Sequence, residues 1–456
     1  MTEKKIKATF NLGAVIQETG IKPDTLRAWE RRYGLPMPER TEGGQRLYSE
    51  RDIKTIKWLL ERQQEDIRIG GAVHLWNELI AVEEDPFIEY PLVETFQDQS
   101  FNHSQLNANN KEEILVHVRE TWIDAVLGFH EEKAHQVLSD AFARFKLLDV
   151  FEEVLIQGLS DIGQGWFKGD ISVQQEHFAS NLAIQRLHGL VEASPPPIRR
   201  KVITVACPPR EEHLLPSLLI TLLLRRKGYP VINLGANVPF QDLEKSLQST
   251  GSRLIIFPTQ TLETAASLVP IVHSLVNSGY IVGFGGRIFS IFPALTSLIP
   301  GHFLGNKISE LSDTIEQVLR IKTTGKGEEK PPSAEYEQLI SQYKAIELKV
   351  WEDINQRASD IGLSKDQIHF ANQHINMAIL ACLVFEGFEF LWGELIWLYG
   401  YLHNRQLSVD QLAAYFSLVE NITADYLKDN QNLISKTIRA AREGSLVNGF
   451  SGKKHH

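Results

Sequence analysis

The stretch "KVITVACPPREEHLLPSLLITLLLRRKGYPVINLGA", residues 201–236, decides the fold of the centre of the chain. It reads as a short apolar strand, a polar loop, an apolar helix, a glycine turn and a second strand. The alternation continues through "FQDLEKSLQSTG", "RLIIFPT", "TAASLVPIVHSLVNSG", "YIVGFGG", "HFLG" and "ISELSDTIEQVL". Short apolar strands separated by helices predict a parallel, doubly wound, Rossmann-like sheet over residues 200–322. A ligand of such a sheet sits beyond the carboxyl ends of its strands. Those ends carry "CPPREEH", "GANVP", "PTQT" and "GFGGRIF".

Upstream, apolar residues recur at helical spacing over 111–194, as at Ile114, Val118 and Trp122, which predicts a four-helix bundle. It contains "GWFKGDISVQQEHFAS", residues 165–180. Ser172 and Gln175 have capping-box spacing, so a helix is expected to start at Val173. Trp166 then falls on the connection before it, and Glu176 and His177 in its first turns. By themselves these three read as a hairpin plug and two solvated residues. Residues 81–110 and 323–334 are polar, with Pro, Gly or Asn, and read as linkers. Residues 335–450 read as an all-helical, aromatic-rich C-terminal domain. The expected fold class is therefore multidomain, α/β plus α.

Composition narrows the class further. A chain of 456 residues is too long for one ordinary core. Its two cysteines, Cys207 and Cys382, form neither a disulfide framework nor a CxxC pattern. The most apolar segment, "NMAILACLVFEGFEFLWGELIWLYGYL", is broken by Glu386, Glu389 and Glu394, and the start "MTEKKIKATF" is polar. No membrane span and a cytoplasmic location are expected. A net charge of −10 argues against a chain that coats nucleic acid indiscriminately. Residues 1–80, however, carry 14 Lys and Arg against 12 Asp and Glu, a balance that permits a small DNA-binding module.

That module has a pattern. "TFNLGAVIQETGIKPDTLRAWERRYG" predicts helices over Leu12 to Thr19 and Pro23 to Tyr33, the second opened by proline and closed by Gly34. A two-glycine ribbon, "ERTEGGQRLYS", follows, and Ser49 caps a third helix. "TLRAWERRYGLPMPERTEGGQRLYSERDI" resembles the winged helix-turn-helix head of MerR-family transcription regulators, over residues 1–80. The resemblance implies a double-stranded DNA operator as partner. Pro23 to Tyr33 would enter the major groove with Arg27 and Arg31, while Arg40, Arg46 and Tyr48 of the wing would hold phosphates. Lys22 stands where a Ser or Thr cap is usual. Gly70-Gly71 interrupts the long helix through which many members dimerise, so self-association, as dimer or tetramer, is expected to depend on later domains.

A second resemblance lies at the ligand end of the sheet. Glu211 and His213 in "CPPREEHLLPSLL" resemble the Asp-x-His-x-x-Gly motif of cobalamin-binding domains, with Glu211 for Asp and Pro216 for Gly. A neutral imidazole suits cobalt, and a carboxylate two residues away can hold its other nitrogen. The resemblance implies that His213 ligates cobalt from below, that Gly285 and Gly286 leave room for the cofactor's nucleotide tail, and that Thr259 and Thr261 stand at its Ser-x-Leu segment. The order of head, bundle and sheet, with a Trp nine residues before Glu-His, resembles the light-sensing CarH/LitR group of MerR-type regulators. It implies adenosylcobalamin as cofactor, with Trp166 against the adenosyl group and Glu176 and His177 near its sugar. Where the best-known members have a histidine after the Trp, this chain has Phe167, so His177, water or another group would take cobalt once light breaks the cobalt–carbon bond, or the light response differs.

The expected function is a non-enzymatic, cobalamin-dependent and light-responsive transcriptional repressor whose oligomerisation and DNA affinity follow the cofactor. The alternatives are a regulator with a degenerate sensor that binds no cobalamin, and a corrinoid carrier or mutase component. In the C-terminal helices His369, His374, His403, Trp392, Trp397 and Cys382 raise two readings: a packed interaction module, or a pocket for a second chromophore such as a haem or bilin.

Overall fold

The chain is described by a computed structural model covering residues 9–41, 43–65, 67–81, 108–306, 308–320, 333–426 and 432–447. The expected linkers at 81–110 and 323–334 fall almost wholly outside these residues. By contacts the chain divides into two compact units.

The first unit comprises the described parts of residues 1–99 together with 193–203 and 223–231. Helices α1 (Leu12–Thr19) and α2 (Pro23–Tyr33) have the predicted limits, and each ends on a glycine in the left-handed region, Gly20 and Gly34. Lys22 makes no side-chain cap to α2. Strands β1 (Glu39–Arg40) and β2 (Arg46–Leu47) form the antiparallel wing. Helix α3 (Glu50–Gln64) starts from a capping box between Ser49 and Asp52. Val15, Leu26, Trp29, Tyr48, Ile56 and Leu59 form the core, where Trp58 meets Trp76 edge-on at 5.3 Å.

The long helix is interrupted earlier than the sequence suggested. It stops after Gln64, and α4 (Ile69–Ala81) already holds Gly70 and Gly71 in its first turn. Gly71 is needed for close approach, because a Cβ there would lie 2.6 Å from the Cβ of Ile198. Arg199 fastens the corner from below. Its guanidinium donates to the Glu65 and Lys227 carbonyls and the Tyr229 hydroxyl, so this buried cation is well satisfied.

The second unit holds residues 108–192, most of the sheet and the C-terminal helices. Helices α5 (Ala108–Leu127), α6 (Glu131–Arg144), α7 (Leu147–Val150), α8 (Gln157–Lys168) and α9 (Val173–Glu192) make the bundle, a π-helical segment at Phe151–Ile156 joining α7 to α8. Trp122, Phe151, Ile162, Leu182 and Leu187 fill its core. That core continues into Leu218, Leu219 and Leu222.

The sheet consists of β3 (Ile203–Val205), β4 (Val231–Asn233), β5 (Leu254–Pro258), β6 (Ile281–Gly285) and β7 (His302–Phe303), in the spatial order β4-β3-β5-β6-β7. β5, β6 and β7 pair in parallel, Phe257 opposite Phe284 and Phe284 opposite Phe303. The connecting helices are α10 (Leu214–Arg226), α11 (Leu243–Thr250), α12 (Leu262–Asn277), the short α13 (Arg287–Ile291) and α14 (Ile308–Leu319). Pro216 lies in the first turn of α10, where its missing N–H leaves no helical bond unmade.

Helices α15 (Ala334–Ala358), α16 (Lys365–Phe385), α17 (Glu389–His403), α18 (Val409–Tyr426) and α19 (Asn432–Val447) complete the unit. They share one core with the sheet, in which Phe257, Leu268, Val272 and Phe284 join Ile375, Ile379, Leu391 and Phe416. Among the described residues α16 alone is long and apolar enough to cross a membrane, and over half of that segment is buried inside the protein.

Candidate functional site

The centre of the site is one carboxylate. The chain leaves β3 through Cys207 and turns at Arg210, whose φ of 68° lies in the left-handed region, and this buries Glu211 completely. Glu211 Oε2 accepts from the Gln260 amide at 2.7 Å and the Thr264 hydroxyl at 2.8 Å, and Oε1 accepts from the His213 amide at 3.1 Å. Oε1 also lies 2.5 Å from His213 Nδ1. An ionised carboxylate only accepts, so Nδ1 carries a proton, and in the neutral ring the lone pair is left on Nε2. The ring stands out from the loop with 62% of its side chain exposed. A buried, fully satisfied carboxylate thus presents an outward-facing imidazole, the donor arrangement that an axial ligand requires.

Electrostatics tie the pair together. Burial, the largest influence on Glu211, pushes its carboxyl up, but the hydrogen bond and charge of His213 with the Gln260 and Thr264 donors outweigh it and hold it below the usual range. The Glu211 hydrogen bond raises His213 above the ordinary histidine value against the opposing effect of burial. Glu176 of α9 is close enough for its charge to raise it too, and Arg287 to lower it. Charges in the first turn of α9 and at the start of α13 therefore both act on this imidazole.

The hairpin is as predicted at Ser172 and Gln175, whose side chains cap each other's backbone amides. Glu176 Oε2 lies 2.7 Å from His177 Nδ1, and Oε1 accepts from Ser180 at 2.7 Å. His177 is exposed. Trp166 is not on the connection but in the last turn of α8, which Gly169 closes at a φ of 85°. Its half-buried indole lies 5.2 Å from the Tyr401 ring, and Phe167 lies 5.6 Å from Trp397.

The structure bears on three further expectations. Gly286, at a φ of 133°, is required by the protein itself: a Cβ there would overlap the Thr259 carbonyl oxygen, and at Gly285 it would lie 3.3 Å from the Gly305 carbonyl. Both glycines thus serve contacts between strand ends, a requirement that holds without any ligand. Thr259 is buried with its hydroxyl donating to the Phe257 carbonyl, and Thr261 caps α12 through Thr264, so Thr264 is the residue that reaches the site. The six C-terminal residues do not converge: Cys382 is buried with its thiol pushed up by burial, Trp392 is exposed, His403 Nδ1 meets the Leu407 carbonyl, and only His374 and Trp397 stack, at 4.9 Å.

In the head, Arg27, Arg31 and Arg40 are exposed, Arg27 lying 3.6 Å from Asp24. Tyr48 is buried and donates its hydroxyl to Glu30 at 2.6 Å, and Arg46 pairs with the same carboxylate at 2.8 Å. Tyr48 is therefore a core residue and supports the wing instead of reaching a phosphate. Glu30, Thr264 and Ser180 were missed in the sequence. Thr264 and Ser180 left local traces, the three-residue spacing from Thr261 and the four-residue spacing from Glu176 on one helix.

Two stretches of the chain match known families. The MerR HTH family regulatory protein model matches residues 10–79, and a B12 binding domain model matches residues 118–188. The HTH-type transcriptional repressor CarH of Myxococcus xanthus is 30% identical over 52% of this chain and 75% of its own length. The repressor CarA of the same organism is 30% identical over 52% of this chain and 71% of its own. The Methanosarcina barkeri monomethylamine corrinoid protein is 15% identical, covering 44% of this chain and 98% of that one at a TM-score of 0.40. The chain belongs to the CarH-like family of MerR-type transcriptional regulators, which join a helix-turn-helix head to a B12-binding domain.

Proposed function

We propose that the chain is a cobalamin-dependent, light-responsive transcriptional repressor. The observation that carries this reading is the exposed imidazole of His213, held through Nδ1 by a buried and fully bonded Glu211. His213 would hold cobalt from below, with Glu211 fixing the tautomer, while Trp166, Glu176 and His177 face the upper group. When bound, adenosylcobalamin would supply a light-labile cobalt–carbon bond. The proposed layout is a DNA-binding head at 1–80, a capping bundle at 111–194, a cofactor sheet at 200–322 and helices from 335 onward. Ligand that binds the closed arrangement of bundle and sheet more tightly favours it, and a homo-oligomer so formed would grip a repeated operator multivalently. Arg27, Arg31 and Arg40 would contact DNA.

The test is reconstitution of the purified chain and its His213→Ala variant with adenosylcobalamin. The wild type is expected to retain a red pigment and, after green light, to change its spectrum, its size in solution and its salt-sensitive binding to operator DNA. Equal retention and an unchanged spectrum in His213→Ala would sink the reading.

A further inference from the structure

The helices beyond residue 333 reach both sides of the proposed site. On the lower side, the Arg210 guanidinium, in the loop that presents Glu211 and His213, pairs with Glu263 at 2.9 Å and lies 3.4 Å from the Met377 sulfur of α16. On the upper side, the end of α17 grips the last turn of α8. Arg405 donates to the Trp166 carbonyl at 3.1 Å and the Phe167 carbonyl at 3.4 Å, and Asn404 donates to the Phe167 carbonyl at 3.1 Å. Those carbonyls belong to the last turn of α8, and that of Trp166 also accepts from the Gly169 amide at 3.1 Å.

The same guanidinium lies over two rings, 3.5 Å from the Tyr401 centroid and 5.1 Å from that of Trp166. Tyr401 in turn stacks with Phe370 at 4.5 Å and Trp397 at 5.4 Å, and His374 stacks on Trp397. Burial lowers the Arg405 pKa, yet a guanidinium stays charged throughout the ordinary range. A planar cation with two carbonyls to bond and two rings to cover fixes both the height and the tilt of the Trp166 indole. Lysine, with one point charge, cannot do all of this.

We infer that α16 and α17 form a side wall of the cofactor site and that Arg405 is a positioning residue, setting the Trp166 indole so that it favours a flat aromatic group on the upper face over a small alkyl group. This rests on the proposed cobalamin site and adds a third wall to it. Arg405 lies over the indole and Tyr401 packs beside it at 5.2 Å, while the half-buried ring keeps part of its surface exposed. Selectivity for the upper group then comes from outside the bundle and the sheet.

The experiment compares adenosylcobalamin with methylcobalamin in the dark, on the full chain and on Arg405→Ala, Arg405→Lys and His213→Ala. The readouts are affinity and the visible spectrum of the bound corrinoid, with thermal unfolding of each apo-protein as the check on folding. Arg405→Ala is expected to keep the lower-ligand spectrum and to lose about tenfold in its preference for the adenosyl over the methyl form. Arg405→Lys should recover part of that preference. An unchanged preference in a folded Arg405→Ala overturns the inference and leaves the cobalamin reading standing, and so does equal loss of both corrinoids. Should Arg405→Ala fail to fold, Arg405→Lys decides: a full wild-type preference there overturns it. A wild type that holds neither corrinoid removes the reading and the inference together.

Discussion

Tyr48 gives its hydroxyl to Glu30 at 2.6 Å, and the other oxygen of that carboxylate holds Arg46 at 2.8 Å, so one acidic residue of α2 fastens the wing to the recognition helix. The tyrosine ring is wholly buried, which leaves its hydroxyl dependent on this partner. Glu30→Ala is expected to destabilise the head by about 1–3 kcal/mol, the cost of a buried polar group left unpaired. Thermal unfolding should show the loss, and operator binding should fall because the wing loses its angle. A variant as stable as wild type would refute the clamp.

The exposed arginines should behave differently. Arg31→Ala and Arg40→Ala leave the core untouched and are expected to keep wild-type stability. If each holds one phosphate, each should weaken DNA binding across sequences and lower the steepness of its salt dependence by about 1. Binding titrations at several salt concentrations separate this from the structural effect of Glu30→Ala.

Glu211→Gln keeps the shape of the side chain but offers His213 Nδ1 a neutral amide in place of a buried anion. The imidazole then loses its fixed tautomer, and corrinoid retention should drop about 10–100-fold, the usual effect of removing the group behind a metal-binding histidine. Thr264→Val, which removes one of the four donors to Glu211, should give a smaller loss in the same direction. Retention is measured by absorbance after gel filtration, and wild-type retention by both variants would contradict the arrangement.

Gly286→Ala tests the close approach of the strand ends. The substitution places a Cβ against the Thr259 carbonyl at a φ that side chains rarely adopt, so a cost of at least about 1–3 kcal/mol is expected. It should appear as a lower unfolding midpoint in the absence of any ligand. Were Gly286 needed only as room for a cofactor, the apo-protein would keep its midpoint and only loading would suffer.

Local pattern carried much of this architecture. The limits of α1, α2, α3 and α9 follow from caps and hydrophobic spacing, which act within a few residues and are therefore readable along the chain. Glu211 and His213 were legible for the same reason, since a carboxylate two residues from an imidazole can meet it within one loop.

Long-range partners were not legible. Glu30 and Tyr48 are 18 residues apart, Glu211 and Thr264 are 53 apart, and Arg405 reaches the Trp166 carbonyl across 239. No periodicity records such distances. The sequence alone determined the elements, the helix-turn-helix head and the histidine that stands out from the sheet. Only the tertiary structure decided that Tyr48 is core, that Gly285 and Gly286 serve strand-end contacts, and that the C-terminal helices share a core with the sheet. The physical reason is that packing and buried hydrogen bonding depend on which surfaces meet, and that is fixed by the whole fold rather than by neighbours in the chain.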